Sequence, residues 1–199
     1  MNILNYELTN PQKSILLTEQ FNENTCVSNI CGTLSIPQKI DENAFEKAIN
    51  LFIKNNDSVR LYLTQEGPDI KQCLKDYSFE EIEKVNITDK YSLSQLEEDV
   101  ITKHFTLLNS NLYRFVIFKN EDGTGGFIAN LHHMISDAWT MSLLIDQIMN
   151  YYVSIIQNTP IQDVKNSSYL DFIDEEKKYI ESSKFERAKN FWESQFENL

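Results

Sequence analysis

The sequence predicts an α/β protein, in the broad sense that strands and amphipathic helices share one core. Two apolar runs rich in β-forming residues, 112–118 and 125–131, are joined by the turn-type cluster Glu121-Asp122-Gly123-Thr124, which predicts a β-hairpin. After Asp137 the spacing of apolar residues changes from the two-residue period of a strand to the 3.6-residue period of a helix. Apolar residues then recur at helical spacing: Met141, Leu144, Ile145, Ile148 and Tyr152. The two patterns place a strand, a turn and a helix in succession.

Local signals predict the other elements along the chain. Pro11 fits the first turn of a helix that Thr9 or Asn10 can cap, and Pro37 ends a predicted strand over 26–36. Asp41 can cap a helix whose apolar residues fall on one face. The further expected elements are a strand over 59–63, a strand or short helix over 79–85, and helices over 94–104 and 140–157.

The composition excludes several classes of protein. With 199 residues, 41% of them hydrophobic, the chain is long and apolar enough for one good-sized domain. A net charge of −12 leaves no electrostatic footprint for nucleic acid or anionic lipid. The N-terminus does not read as a signal peptide, and no apolar run has membrane-spanning length. Three widely spaced cysteines favour free thiols and a cytoplasmic protein.

Two of the three histidines in the chain, His132 and His133, stand where the predicted strand ends, and Asp137 follows four residues later. Adjacent residues on a strand point to opposite faces, so one imidazole can pack inside while the other reaches solvent or substrate. Either Ser136 or Asp137 can cap the following helix. A neutral imidazole can take a proton from a nucleophile near neutral pH. Two other interpretations remain open on these residues alone, an ordinary packed or surface histidine and part of a metal site.

The segment His132-His133-Met134-Ile135-Ser136-Asp137-Ala138-Trp139 resembles the His-His-x-x-x-Asp-Gly signature of condensation domains of nonribosomal peptide synthetases. The same signature marks the wider superfamily of CoA-dependent acyltransferases related to chloramphenicol acetyltransferase. Within that family, Ile-Ser-Asp-x-Trp-Thr-Met-Ser is most similar to the subtype that joins two L-configured residues.

Weaker similarities follow in the family's order through nearly the whole chain. Thr9 and Gln12 resemble its opening Ser/Thr-x-x-Gln motif, and Arg60 resembles the last arginine of its Arg-His-Glu-x-Leu-Arg segment. Three later segments also resemble family motifs: Phe105-Thr106-Leu107 with Leu112-Tyr113-Arg114, Tyr169-Leu170-Asp171-Phe172, and Phe185 to Trp192.

The resemblance implies a fold and a set of roles. The expected fold is an α+β two-layer sandwich, a chloramphenicol acetyltransferase-like lobe with a mixed β-sheet covered by helices. His133 would be the base or positioning group for the acceptor amine, and His132 would be structural. Asp137 would hold the loop through an ion pair with Arg60, beside Ala138 and Trp139. No metal is expected. Ala138 replaces the usual glycine, which would matter if that position needed a positive φ or a bare backbone.

The resemblance also implies an organisation and partners. Residues 1–180 would form the N-terminal lobe, and 181–199 a helix leading into the C-terminal lobe, as in a truncated domain, an excised piece or a split protein. The implied reaction is peptide-bond formation between a donor thioester and an aminoacyl acceptor. Carrier proteins would bring both on phosphopantetheine, beside an adenylation domain, and this domain would bind no cofactor itself. The lobe alone is expected to have little or no activity. The alternatives are a CoA- or carrier-dependent acyltransferase forming an ester or amide, and a non-catalytic partner-recruiting domain.

Overall fold

A four-stranded mixed sheet forms the centre of the molecule. The computed structural model describes residues 5–22, 25–162 and 166–196. The sheet contains β2 (Asn29–Ile36), β5 (Glu83–Asn86), β6 (Tyr113–Lys119) and β7 (Gly125–His132) in the order β2-β7-β6-β5. The β6–β7 hairpin is antiparallel, as predicted, whereas β5 runs parallel to β6. The expected mixed sheet is therefore confirmed.

A smaller sheet and its neighbours complete the strand layer. Strands β1 (Asn5–Tyr6), β3 (Leu61–Glu66) and β4 (Asp69–Leu74) form an antiparallel sheet in the order β1-β4-β3. The predicted strand over 59–63 is correct only from Leu61, because a 3-10 turn over Asp57–Arg60 precedes it. The ambiguous stretch over 79–85 becomes β5, since its second half pairs with β6.

In the described residues, six α-helices surround the sheets. They are α1 (Asn10–Phe21), α2 (Glu42–Asn55), α3 (Leu93–Ile101), α4 (Ala138–Ile156), α5 (Tyr169–Ile180) and α6 (Ser183–Phe196). The main core contains residues of α2, α4 and the central sheet, while a smaller cluster joins α3 to the other side of that sheet. Phe45 of α2 stacks on Tyr152 of α4 with ring centroids 3.8 Å apart, and the Tyr152 hydroxyl accepts the Asp41 N–H at 3.0 Å. This packing fixes the axis of α4, whose first turn follows the histidine pair.

Local sequence signals explain where the helices begin. Thr9 is the N-cap of α1 and forms a reciprocal capping box with Gln12, while Asp41 caps α2 through two backbone N–H groups. The predicted helix and strand at 94–104 and 26–36 are shorter in the structure than expected. The helix ends at Ile101 and the strand begins at Asn29, after a turn at residues 27–28.

Gly126 of β7 faces the backbone of Leu34 on β2, and the structure leaves no room there for a side chain. A Cβ at Gly126 would lie 1.8 Å from the Leu34 carbonyl oxygen, which is backbone and cannot rotate away. We expect Gly126→Ala to lower the free energy of unfolding by about 3 kcal/mol, as severe overpacking does.

Chemical denaturation measures this effect, and Gly32→Ala on β2 is the matched control. A Cβ at Gly32 would meet only the Met141 methyl carbon, at 3.1 Å, which sits at the end of a flexible side chain. That substitution should cost less than about 1 kcal/mol. Equal stability losses in the two variants would contradict the packing described for Gly126.

Candidate active site

The segment between β7 and α4 is a tight turn held to its surroundings by backbone hydrogen bonds. The His132 N–H donates to the Leu112 carbonyl at 2.8 Å, and the His133 N–H donates to the Ser28 carbonyl at 2.7 Å. The Ser136 hydroxyl donates to the His132 carbonyl at 3.0 Å and closes the turn. The predicted strand–turn–helix context of the histidine pair is therefore present.

His132 lies inside the protein, with 2% of its surface exposed. Its Nδ1 accepts the Met134 N–H at 3.1 Å, so the proton of the neutral ring is on Nε2. That Nε2 lies 3.5 Å from a carboxylate oxygen of Glu19 on α1. Burial lowers the pKa of His132, while the Glu19 carboxylate acts in the opposite direction. His132 is accordingly a neutral, fixed ring.

His133 is exposed and has the opposite arrangement of ring nitrogens. Its Nδ1 lies 2.7 Å from the Ser136 carbonyl oxygen, which can only accept a hydrogen bond. Nδ1 therefore carries the proton of the neutral ring, and Nε2 keeps a free lone pair. This is the tautomer that a base needs if it is to act through Nε2.

Gln12 holds the same turn from the side of α1. This side chain is 2% exposed, and its Nε2 donates to the Met134 carbonyl at 3.2 Å. Gln12 also exchanges hydrogen bonds with the Gln72 side chain on β4, at 2.9 and 2.8 Å. Sequence analysis singled out Gln12 only as part of the family-like N-terminal motif, because its contact with Met134 spans 122 positions.

A cleft of about 280 Å³ opens beside the exposed imidazole. The turn from His133 to Asp137 and the first turn of α4 at Thr140 line one side of it. Residues of α1 and α5 line the other: Pro11, Gln12, Ile15, Tyr169 and Phe172. The sequence pointed to Tyr169 and Phe172 only as a family-like segment, and the structure brings them to the cleft. Glu19 was missed, and its only sequence signal is its position two helical turns after Gln12.

Asp137 is exposed and acts as the N-cap of α4. Its Oδ1 accepts hydrogen bonds from the Thr140 N–H and the Thr140 hydroxyl, both at 2.8 Å. The Asp137 N–H in turn donates to the Thr140 hydroxyl oxygen at 3.2 Å, which completes a capping box. The hydrogen bond from the Thr140 backbone is the largest cause that lowers the pKa of Asp137 below its ordinary value of 3.8. Asp137 thus orders the end of the turn through α4.

The predicted ion pair between Arg60 and Asp137 is wrong. The Arg60 guanidinium instead caps the C-terminal end of α2 by donating to the carbonyls of Ile53 at 2.7 Å and Lys54 at 2.6 Å. It also donates to the Lys75 carbonyl, directly after β4, at 3.1 Å. The end of α2 packs beside the middle of α4, where Asn56 donates to Gln147 at 2.8 Å. Gln147 is ten residues beyond Asp137, roughly 15 Å along the α4 axis. Arg60 therefore supports α2 and does not reach the turn.

Ala138 and Trp139 form the exposed start of α4. Asn109 and Asn158 are the non-glycine residues with positive φ in the described part of the chain, so Ala138 has no backbone conformation that requires glycine. Trp139 is 73% exposed, in the turn of helix that follows Asp137.

A second set of contacts packs against the buried histidine. The Phe105 ring meets the His132 ring edge to face, with centroids 5.9 Å apart, and the Arg114 guanidinium carbon lies 4.7 Å from the Phe105 ring centroid.

Among residues 5–22, 25–162 and 166–196, no group of three or more His, Cys, Asp or Glu side chains could hold a metal ion. Within those residues, no helix combines the length and apolar character required to cross a bilayer.

The N-cap role of Asp137 predicts a specific loss of stability. Asp137→Ala should lower the free energy of unfolding by about 1 kcal/mol at pH 7, and Asp137→Asn by less, because asparagine also caps helices. Because folding lowers the carboxyl pKa, the advantage of wild type over Asp137→Asn exists above the unfolded pKa and disappears as pH falls through the folded pKa. Urea denaturation at pH 7 and near pH 3 measures both effects. A larger difference in unfolding free energy between wild type and Asp137→Asn at low pH than at pH 7 would contradict this role.

The separation of Arg60 from Asp137 predicts that their effects on stability are additive. Arg60→Ala alone should destabilise the chain by about 1–3 kcal/mol, since it leaves the carbonyls at the end of α2 without their donor. A double-mutant cycle with Asp137→Ala should give a coupling energy below about 0.5 kcal/mol. A coupling energy of several kcal/mol would instead show that Arg60 and Asp137 interact, which would contradict their separation.

Comparison with known proteins shows the family. The condensation domain model matches residues 3–199. Surfactin synthase subunit 1 of Bacillus subtilis (strain 168) is 32% identical over 206 aligned residues that cover 100% of this chain and 6% of that protein. Bacitracin synthase 1 of Bacillus licheniformis is 24% identical over 79% of this chain and 3% of its own length. The chain thus spans a small part of these relatives.

Solved structures show the same fold. The starter condensation domain of rhizomide synthetase superposes with a TM-score of 0.87, at 18% identity, over 98% of this chain and 48% of that one. The first condensation domain of the calcium-dependent antibiotic synthetase gives a TM-score of 0.84, at 13% identity, over 98% of this chain and 50% of that one. The fold is therefore the chloramphenicol acetyltransferase-like fold predicted from the histidine motif, and this chain belongs to the condensation domain family.

Proposed function

We propose that this chain supplies the histidine-bearing lobe of a condensation domain that forms a peptide bond between a carrier-bound donor thioester and an aminoacyl acceptor. The observation that carries the proposal is the His133 ring. Its Nδ1 faces the Ser136 carbonyl at 2.7 Å, and its exposed Nε2 is left with a free lone pair beside the cleft. His133 is the catalytic residue in this proposal. His132 and Asp137 hold the turn that carries it.

The reaction needs one base and one leaving group. The acceptor amine attacks the donor thioester carbonyl, the C–N bond forms, and the C–S bond breaks. His133 Nε2 takes a proton from the attacking nitrogen, and that proton passes to the departing sulfur, which leaves as a thiol. The ring is neutral again at the end of the cycle, so no metal or redox partner is required for the balance.

The partners follow from the substrates. Carrier proteins would present donor and acceptor on phosphopantetheine arms, whose thiols form the two thioesters, and an adenylation domain would load them. Residues 1–180 form the first lobe in this proposal, and 181–199 lead towards the second. The break between α5, which ends at Ile180, and α6, which begins at Ser183, supports that boundary. The apolar side chains that α6 leaves exposed support a covering second lobe: Phe191, Trp192 and Phe196.

A second candidate differs in the donor. A mutant of the starter condensation domain of rhizomide synthetase, 17% identical to this chain, has a solved structure in complex with C8-CoA and Leu-SNAC. That complex favours, as the alternative, an acyltransferase that takes its acyl group from CoA. The same His133 base would serve either donor, since both are thioesters.

The test is turnover in a complete condensation domain that contains this chain as its first half. Aminoacyl-carrier and acyl-CoA donors are offered separately with an aminoacyl thioester acceptor, and the amide product is measured by mass spectrometry. His133→Gln should lower kcat/KM by roughly 100-fold or more, the contribution of a positioned general base. The preferred donor decides between the two candidates.

His104→Gln is the matched control for this loss. His104 is exposed and does not line the cleft, and its Nδ1 lies 3.0 Å from the Thr25 carbonyl. Its substitution should leave turnover within about twofold. Wild-type activity in His133→Gln would overturn the assignment of the base. If the wild-type domain binds carrier proteins but condenses neither donor, the chain recruits partners without catalysis.

A further inference from the structure

The first helix reaches the histidine turn at two places. Gln12 and Glu19 are seven residues apart on α1, which places them on one face two helical turns apart. Gln12 donates directly to the Met134 carbonyl, while Glu19 approaches the Nε2 of His132 at 3.5 Å. Both residues therefore act on the same residue of the turn, because Nδ1 of His132 accepts the Met134 N–H.

The Glu19 side chain is only 15% exposed. A carboxylate that is mostly out of water needs a donor or a cation near it. The other residues of α1 that face the same groove offer apolar or neutral groups, and across it lie Phe105 and Leu107. The nearest polar hydrogen is that of the His132 ring, whose Nε2 lies 3.5 Å from a Glu19 carboxylate oxygen. The proton is on Nε2 because the Met134 N–H occupies Nδ1.

We propose that Glu19 is a positioning residue for the acyl transfer, acting through His132 on the turn that carries His133. Its carboxylate attracts the Nε2 proton and holds the ring in the orientation in which Nδ1 receives the Met134 N–H. The Phe105 ring packs edge to face against the His132 ring, and the Arg114 guanidinium lies over the Phe105 ring. The consequence for catalysis rests on the proposed function, whereas the effect on the ring does not.

Removal of the Glu19 carboxylate should change the orientation of the buried His132 ring. In Glu19→Leu the Nε2 proton has no acceptor, and a buried unpaired donor is costly enough that the ring should turn towards another partner. Turning the ring breaks its contact with the Met134 N–H and loosens the peptide that follows His133. In Glu19→Gln the amide oxygen remains as an acceptor facing the Nε2 proton, so the ring should stay in place.

Nuclear magnetic resonance on the chain itself tests the contact. In wild type, the ¹⁵N shifts of His132 should show a protonated Nε2 and a bare Nδ1. Glu19→Leu should shift that pattern and speed exchange of the Met134 amide roughly tenfold, whereas Glu19→Gln should keep both as in wild type. Gln20→Leu is the control, since Gln20 is the exposed next residue of α1. Unchanged His132 shifts and unchanged Met134 exchange in Glu19→Leu would overturn the proposal.

Kinetic measurements in a complete condensation domain test whether Glu19 affects catalysis. Glu19→Leu should lower kcat about tenfold with an unchanged KM for the carrier-bound donor, and Glu19→Gln should restore kcat to within about threefold of wild type. An equal loss in the Leu and Gln variants would contradict positioning through the acceptor oxygen. If wild type fails to condense, the proposed function fails while the resonance result still decides the contact.

Discussion

The backbone of Met134, between His133 and Ile135, is the constraint on which the candidate site depends. The Met134 N–H is received by His132 Nδ1, and the Met134 carbonyl is held by Gln12 Nε2. One partner comes from the end of the central sheet and the other from the first helix. Because both polar groups of this residue are fixed, the chain leaves the sheet in one direction, and His133 is placed over the cleft.

The end of the turn is fixed by separate interactions. Ser136 contributes its hydroxyl to the His132 carbonyl and its own carbonyl to the His133 ring, and Asp137 then caps α4. The helix axis is in turn set by packing of α2 against α4 through Phe45 and Tyr152. A substitution that disturbs the core would therefore displace His133 through α4. A substitution at Gln12 or His132 would displace it through the Met134 backbone. The two routes meet at a single imidazole.

The sequence predicted those parts of this arrangement that depend on neighbouring residues. The hairpin, a cap of α1 at Thr9 or Asn10, the cap of α2 at Asp41 and a cap of α4 at Ser136 or Asp137 are each local, and the structure confirms them, with Thr9 and Asp137 as the caps of α1 and α4. Contacts between distant segments could not be predicted in this way. Glu19 and His132 lie far apart along the chain, and neither residue alone indicates the other. Arg60 was assigned the wrong partner because a family resemblance gives a residue type but not the direction of its side chain.

The two adjacent histidines divide the work because of where the strand ends. Every residue of β7 from Gly125 to His132 is buried, so His132 has to be a neutral interior group, with its Nδ1 bound by the Met134 N–H. One position later the backbone leaves the sheet, and the next side chain can face the cleft with only one ring nitrogen occupied. An imidazole at position 132 could not exchange protons with a substrate without losing its contact with Met134. An imidazole at position 133 can do so because its hydrogen bond to Ser136 leaves Nε2 free. The order of roles in the pair therefore follows from the geometry of the strand end.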